Sequence, residues 1–266
     1  MKQPTLGVTF RPQSPPERLR EVALAAEAAG VSELWLWEDC FLEGGLTAAT
    51  AALAWTERLH VGIGLLPVPL RNPAVTAMEI ATLARLFPGR FMPGLGHGVL
   101  DWMAQVGARA ASPMTLLREH SSAVYHLLHG RTLDVDGRFV HLEQVTLEYP
   151  PYVVPPLLIG GRGPKTLRLA GDVADGVILD CITSASQVRD ARRHVAEGRS
   201  AGGRTGPFRT VVYIELDTAS AGLQGQVADW AGQLGAVGAD SVVFQATGEN
   251  PDPRPLLEAC GSHISR

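Results

Sequence analysis

Residues 60–98, HVGIGLLPVPLRNPAVTAMEIATLARLFPGRFMPGLGHG, read as one strand–helix–strand unit. The run from His60 to Leu66 is apolar without alternation, the pattern of a strand covered on both faces. Pro73 suits the first position of a helix, where its missing N–H costs nothing, and that helix runs to about Leu86. Arg90 to Leu95 forms the next strand, which ends in the glycine-rich Gly94–Gly98. Two such strands joined by a helix pair in parallel.

The same rhythm extends in both directions. Upstream, Thr5–Phe10 is a strand. Ser14 then caps a helix that has Pro15 at its first position and Glu17 completing a capping box. Leu19, Val22, Ala23 and Ala26 recur at helical spacing, and Gly30 stops the helix. Leu34–Trp37 is a strand and Leu46–Thr56 a helix. Downstream come a helix at Thr115–His129, a strand at Leu157–Gly160, a helix at Pro164–Ala170 and a strand at Gly176–Asp180. A helix at Ser186–Gly198 and a strand at Thr210–Leu216 follow. Leu223, Val227, Trp230 and Leu234 make one helical stripe, Ser241–Gln245 is a strand, and Pro253–Ala259 a closing helix. Eight strands alternating with eight helices predict a closed (β/α)8 barrel in one domain over residues 1–266, in preference to an open doubly wound sheet. The stretch from about 131 to 156 interrupts the rhythm after the fourth unit. Thr132–Tyr149 alternates and carries the hairpin signal Asp136-Gly137, and a proline-rich connector runs from Pro150 to Pro156.

The chain has 266 residues, with a formal charge of −4 spread along it and no basic block that would track a phosphate backbone. It has no apolar run long enough to span a bilayer and no secretory leader pattern, so neither nucleic acid nor membrane is expected as a partner. Cys40, Cys181 and Cys260 lie far apart, which suits isolated thiols in the cytoplasm.

In a barrel of this type, chemistry collects where the strands end. Trp37, Glu38, Asp39 and Cys40 follow the second strand, Gly64 and Leu65 close the third, and Gly96, His97 and Gly98 the fourth. Asp180 and Cys181 close the sixth, Glu215 lies near the end of the seventh and Gln245 ends the eighth. Gly160, Gly161, Arg162, Gly163, Pro164 and Lys165 form a glycine run into a helix N-terminus with two added cations. This arrangement suits a phosphate, although the same residues also read as an ordinary turn with solvated bases. Gly94–Gly98 lacks the spacing of a dinucleotide fingerprint and reads better as a strand end that admits a flat ring. His97 there is either a proton-transfer group near neutral pH or a structural histidine. His120, His126 and His129 share a helix without an HExxH arrangement or acid cluster, so no metal is expected, and no GxSxG elbow is present.

WLWED, GIGLLPVPLRNP, EIATLARLFPGRFMPGLGHG and LLIGGRGPKTLRLAGDVADGVIL, taken in order, resemble the landmarks of luciferase-like flavin and deazaflavin oxidoreductases, most of all the coenzyme F420-dependent branch. The resemblance covers about Leu6 to Asp180. It implies that Gly64-Leu65 lies in a bulge, often with a non-prolyl cis peptide, that backs an isoalloxazine-type ring. It also implies that Gly160–Lys165 holds the cofactor phosphate and that His97 stands in for the acid of a GTGE motif. Relatives carry Asp-His where this chain has Glu38-Asp39-Cys40. Trp37 would then form an apolar wall, and His97 or Asp39 would move the proton. The implied activity is hydride transfer between F420 and a small organic molecule. FMN-dependent monooxygenation and a non-catalytic flavin-binding barrel are the alternatives, and a homodimer is the implied assembly. A lysine-dependent aldolase or isomerase is disfavoured, because Lys2 and Lys165 are the only lysines.

Overall fold

The computed structural model describes residues 3–248 and 251–264. Eight parallel strands close into a barrel: β1 (Thr5–Phe10), β2 (Glu33–Leu36), β3 (His60–Pro67), β4 (Phe91–Gly96), β7 (Leu158–Gly160), β8 (Gly176–Leu179), β9 (Arg209–Leu216) and β10 (Ser241–Ala246). Around the barrel the order is β1-β10-β9-β8-β7-β4-β3-β2, so each strand neighbours the next barrel strand in sequence. The helices α1 (Leu19–Ala28), α2 (Gly45–Trp55), α3 (Pro73–Leu86), α5 (Pro113–Leu128), α6 (Pro164–Val173), α7 (Ala185–Ala201), α8 (Leu223–Ala236) and α9 (Arg254–Ile264) cover the outside. The expected (β/α)8 architecture is therefore present. An additional short helix, α4 (Leu100–Gln105), stands over the mouth between β4 and α5; at 6 residues it is too short to show helical periodicity.

Two local expectations change. Ser14 does not cap α1. A cap at Ser14 would need the N–H of residue 16 or 17, and Pro16 has none. The Ser14 hydroxyl instead donates to the Pro251 carbonyl at 3.3 Å, and a 3-10 turn, Pro16–Arg18, leads into α1. The hairpin forms from β5 (Leu133–Asp136) and β6 (His141–Val145), but Asp136 pairs with His141, so the turn is the four residues 137–140. The Glu119 carboxylate from α5 accepts the N–H groups of Arg138, Phe139 and Val140 at 2.9, 2.8 and 3.1 Å. This tertiary contact outweighs the local preference for a two-residue turn.

Most of the core lies between the outer barrel face and the helices. A smaller cluster, including Trp35, Met92, Ile178, Tyr213 and Val243, fills the barrel interior. Trp35 is fully buried against β3, where a Cβ on Gly62 would come within 2.3 Å of its ring, so only glycine fits there. Glu33, 1% exposed, closes the floor: it accepts from Thr5 Oγ1 at 2.6 Å, Ser241 Oγ at 2.9 Å, Trp35 Nε1 at 2.8 Å and the Arg209 guanidinium. A buried carboxylate supplied with this many donors is satisfied and plugs the lower end. Within the barrel, open space therefore lies toward the upper end, while a separate cavity of about 440 Å³ lies outside the floor, lined by Thr5, Asp175, Arg209 and Asp240. Among the described residues, no helix is long and apolar enough to cross a membrane.

Candidate active site at the barrel mouth

A cavity of about 430 Å³ occupies the C-terminal ends of the strands, a volume suited to a small organic ligand. The two sides of this cavity are built differently. On the β3–β4–β7 side the inward positions are Gly64, Gly96 and Gly160. The Leu65 side chain lies over that floor: a Cβ on Gly96 would come to 2.3 Å from Leu65 Cδ2, and one on Gly160 to 2.6 Å. The register of β3 against β4 shifts between Ile63 and Leu66, and the Gly64–Leu65 peptide is cis, as the resemblance implied. A second non-prolyl cis peptide, Cys40–Phe41, lies in the loop after β2 and had no sequence signal.

Beyond β7 the chain turns through Gly161, Arg162 and Gly163 into α6. Gly163 is the N-cap and supplies no side-chain cap, Pro164 opens the helix, and Gly161 N–H donates to the Ile178 carbonyl at 3.2 Å. The first-turn N–H groups of α6 therefore lack a side-chain cap, which is the geometry that receives an anion. Arg162 lines the cavity and pairs with Asp180 at 3.3 Å, whereas Lys165 is exposed and does not line it.

The other side is made of side chains. Trp37 stacks on Tyr213 with ring centroids 6.3 Å apart and planes within 7°, and the Arg11 guanidinium lies over the Trp37 ring, 5.4 Å from its centroid. Asp39 lines the cavity, and burial raises its carboxyl above the usual range, with the Arg11 charge opposing. Burial likewise pushes the Tyr213 hydroxyl well above its ordinary value, so it remains a donor. His97 sits at the glycine side, with Nε2 3.3 Å from the Thr166 hydroxyl on α6. Burial pulls its pKa down, while the nearby Pro113 carbonyl works against that shift. Behind the mouth, Glu38 and Arg71 form a largely buried pair at 2.6 Å, with Glu38 also accepting Gly45 N–H at 2.8 Å. This clamps the β2 loop to the loop after β3.

Of the expected residues, Trp37, Asp39, Gly64, Leu65, His97, Gly160, Gly161, Arg162 and Gly163 all line this one cavity. Gly96 lies beneath Leu65, and Pro164 and Lys165 stand outside the lining. Val99, two residues after His97, also lines the cavity. The sequence reading missed Tyr213, Thr166, Arg11 and Trp102. Tyr213 stands two positions before Glu215 on β9, and Arg11 directly follows Phe10 of β1, so period-two counting would have found both. Trp102 belongs to the unforeseen α4. His120 is a core residue: it is fully buried, and burial with the Arg71 charge lowers its pKa to about 4.

A family profile for luciferase-like monooxygenases matches residues 3–221. The chain belongs to the luciferase-like monooxygenase family. Among curated relatives of this luciferase-like chain, the 5,10-methylenetetrahydromethanopterin reductase of Methanolobus tindarius is 29% identical over 203 residues, covering 75% of this chain and 61% of that one. The F420-dependent glucose-6-phosphate dehydrogenase of Mycobacterium avium is 33% identical over 183 residues, covering 62% and 54%. The chain thus spans roughly three-fifths of the length of the curated relatives it matches. Among solved structures, the F420-dependent tetrahydromethanopterin reductase of Methanopyrus kandleri superposes with a TM-score of 0.80 at 19% identity, covering 98% of both chains. An F420-dependent secondary alcohol dehydrogenase bound to an F420-acetone adduct superposes with a TM-score of 0.84 at 18% identity, again covering 98% of both. These two likenesses concern the luciferase-like fold.

Proposed function

We propose that the mouth holds the deazaflavin coenzyme F420 and that the protein is an oxidoreductase moving hydride between it and a small organic molecule. The carrying observation is the glycine floor at Gly64, Gly96 and Gly160, over which Leu65 and the tip of Tyr213 lie, and which runs into the uncapped N-terminus of α6. A flat ring fits over Leu65, and an attached phosphate then meets backbone N–H groups, the helix dipole and Arg162. A deazaflavin bound there supplies hydride chemistry, while the protein supplies position and the exclusion of water. Gly64 and Leu65 back the ring, and Gly160–Lys165 holds the phosphate, with Lys165 contributing only at a distance. Asp39, partly buried and with a raised pKa, holds or accepts the proton at its carboxylate. His97, bonded to Thr166, steadies the phosphate end of the site and is the second group able to exchange a proton.

The same glycine floor and uncapped helix N-terminus would accept FMN, so FMN-dependent monooxygenation is the second reading. The reading extends to a homodimer in the cytoplasm. On α3, Val75, Met78 and Leu86 are 48%, 56% and 63% exposed and offer an apolar contact for a second copy, which light scattering on the purified protein tests.

Side-by-side titration with F420 and FMN, followed by tryptophan emission, tests the cofactor. Trp37 and Trp102 both line the cavity and report its occupation. Saturable quenching by F420 alone supports the reading. Preference for FMN moves it to the monooxygenase, binding without turnover to the non-catalytic barrel, and binding of neither overturns it.

A further inference from the structure

At the end of the barrel opposite the mouth, residues at or just before the starts of β7, β8, β9, β10 and β1 line the cavity of about 440 Å³ outside the Glu33 floor. The oxidoreductase reading leaves it unused. One wall is apolar: Val154, Pro155 and Pro156 from the connector into β7, with Pro207 and Phe208 from the approach to β9. Proline has a fixed φ and no N–H, so this wall has little freedom to lose when a ligand packs against it.

The polar lining holds two opposite charges, each with an unanswered side. Arg209 makes its side-chain hydrogen bonds through Nη2 alone, to Glu33, to Ser241 Oγ at 2.8 Å and to Thr5 Oγ1 at 3.3 Å. Its Nη1 donates to nothing among the described residues, and its Nε is buried without an acceptor. Asp240 accepts the Thr210 N–H at 2.8 Å through Oδ2 and forms no ion pair among the described residues, not even with Arg209 at the start of the neighbouring strand. The wider field favours neither sign. Glu33 answers Arg209, and Arg204 answers Asp175 at 2.7 Å. Arg192 is held by Thr210 Oγ1 and the Gly238 carbonyl, and Arg199 lies over the Phe208 ring at 5.0 Å. These four cations and three anions nearly balance. A simple anion or cation would satisfy one unanswered group and leave the other, whereas a molecule carrying both charges meets both.

We propose that this cavity binds a small zwitterionic amino carboxylate with an apolar body. Its carboxylate takes Nη1 of Arg209, its ammonium takes the open Oδ1 of Asp240, and its body packs on the proline wall and Phe208. His129 lines the same cavity with Nδ1 committed to the Tyr125 carbonyl at 2.7 Å, which leaves Nε2 as a further contact. The buried Glu33 and Trp35 separate this cavity from the mouth. The occupant is therefore a different molecule from the one that reacts there, and the proposal does not depend on which cofactor the mouth holds.

Calorimetric titration of the protein with L-phenylalanine and L-leucine is the direct test, and it needs no bound cofactor. Saturable binding is expected. Hydrocinnamate keeps the ring and the carboxylate but lacks the ammonium, and phenethylamine lacks the carboxylate. Both are expected to bind at least about 10-fold more weakly than L-phenylalanine. Saturable binding of neither amino acid up to millimolar concentration overturns the proposal, as does either truncated analogue binding as tightly as L-phenylalanine. These comparisons use the unsubstituted protein, so they stand even where a variant does not fold. Asp240→Asn keeps an oxygen for the Thr210 N–H and removes the charge. It is expected to weaken L-phenylalanine about 10-fold and to leave hydrocinnamate unchanged. Arg209→Lys keeps a cation for Glu33 but has no second edge to offer, and is expected to weaken L-phenylalanine while leaving phenethylamine unchanged. Binding indifferent to both substitutions puts the amino acid elsewhere and overturns the proposal. Displacement of L-phenylalanine by F420 or FMN puts it at the mouth and does the same.

Discussion

Across the barrel mouth, β3, β4 and β7 present Gly64, Gly96 and Gly160, whereas β9, β10, β1 and β2 present or lead into Tyr213, Gln245, Arg11 and Trp37. Both arcs obey the same alternation of inward and outward residues, yet one presents glycines and the other presents aromatic and polar side chains. An arc of glycines grips a ligand through backbone and shape, and so suits a large group that every turnover reuses. An arc of polar side chains reads hydrogen-bonding groups, and so suits the partner that changes. On the proposed reading, the division of labour between cofactor and substrate follows from side-chain volume before any charge is considered.

The most severe way to break this comparison is to give the empty arc a side chain. A Cβ at Gly160 comes to 2.6 Å from Leu65 Cδ2, and Leu65 cannot retreat toward β4 because it already covers Gly96. Gly160→Val is therefore expected to weaken F420 binding by at least about 100-fold, roughly 2.7 kcal/mol, in a protein whose circular dichroism is unchanged. Titration checks this, and wild-type affinity in the variant would remove the cofactor from this arc.

A second change asks whether the arcs touch. In Gly64→Ala the new Cβ lies 2.2 Å from the Tyr213 hydroxyl oxygen and 3.1 Å from the carbon bearing it. Overpacking of this kind costs about 1–3 kcal/mol, read as a shift of the urea midpoint. Tyr213→Phe in the same chain removes the closer atom and is expected to recover part of the loss. Strictly additive effects would show that the two arcs are mechanically independent.

The glycine arc was the more legible of the two. Glycines at strand ends and a glycine run before a helix are visible as letters, and the structure shows which of them face inward. The barrel was legible for the same reason, since eight buried strands each announce themselves locally. Ser14, the hairpin turn and α4 were decided by groups remote in sequence or by too few residues: the missing N–H of Pro16, the carboxylate of Glu119, and a helix of 6 residues. The polar arc was hidden for a different reason. Trp37 read as an apolar wall, and Tyr213 stood unremarked within the strand Thr210–Leu216. Only the placement of Nε1 and OH, which depends on how β2 and β9 face each other across the barrel, shows that both rings carry a buried polar atom without a partner among the described residues.

The mildest test compares two titrating groups at the mouth, Asp39 after β2 and His97 after β4. Burial moves both toward neutrality, and hence in opposite directions on the pH scale. Asp39 keeps its proton to a higher pH in the fold than its ordinary value of 3.8. The native state therefore binds more protons than the unfolded chain above that pH, and stability falls as pH rises through the interval. His97 loses its proton below its ordinary value of 6.5, so below 6.5 the unfolded chain binds more protons and stability falls as pH drops. Asp39→Asn should then raise Tm at pH 8 and have little effect at pH 4, while His97→Gln should raise it at pH 5 and have little effect at pH 8. Both groups partly reach solvent, which screens the gain to about 1–2 °C. Thermal melts across this range check the crossing. Parallel pH profiles for the two variants would mean that the arcs present the same electrostatic environment, and that their difference is one of shape alone.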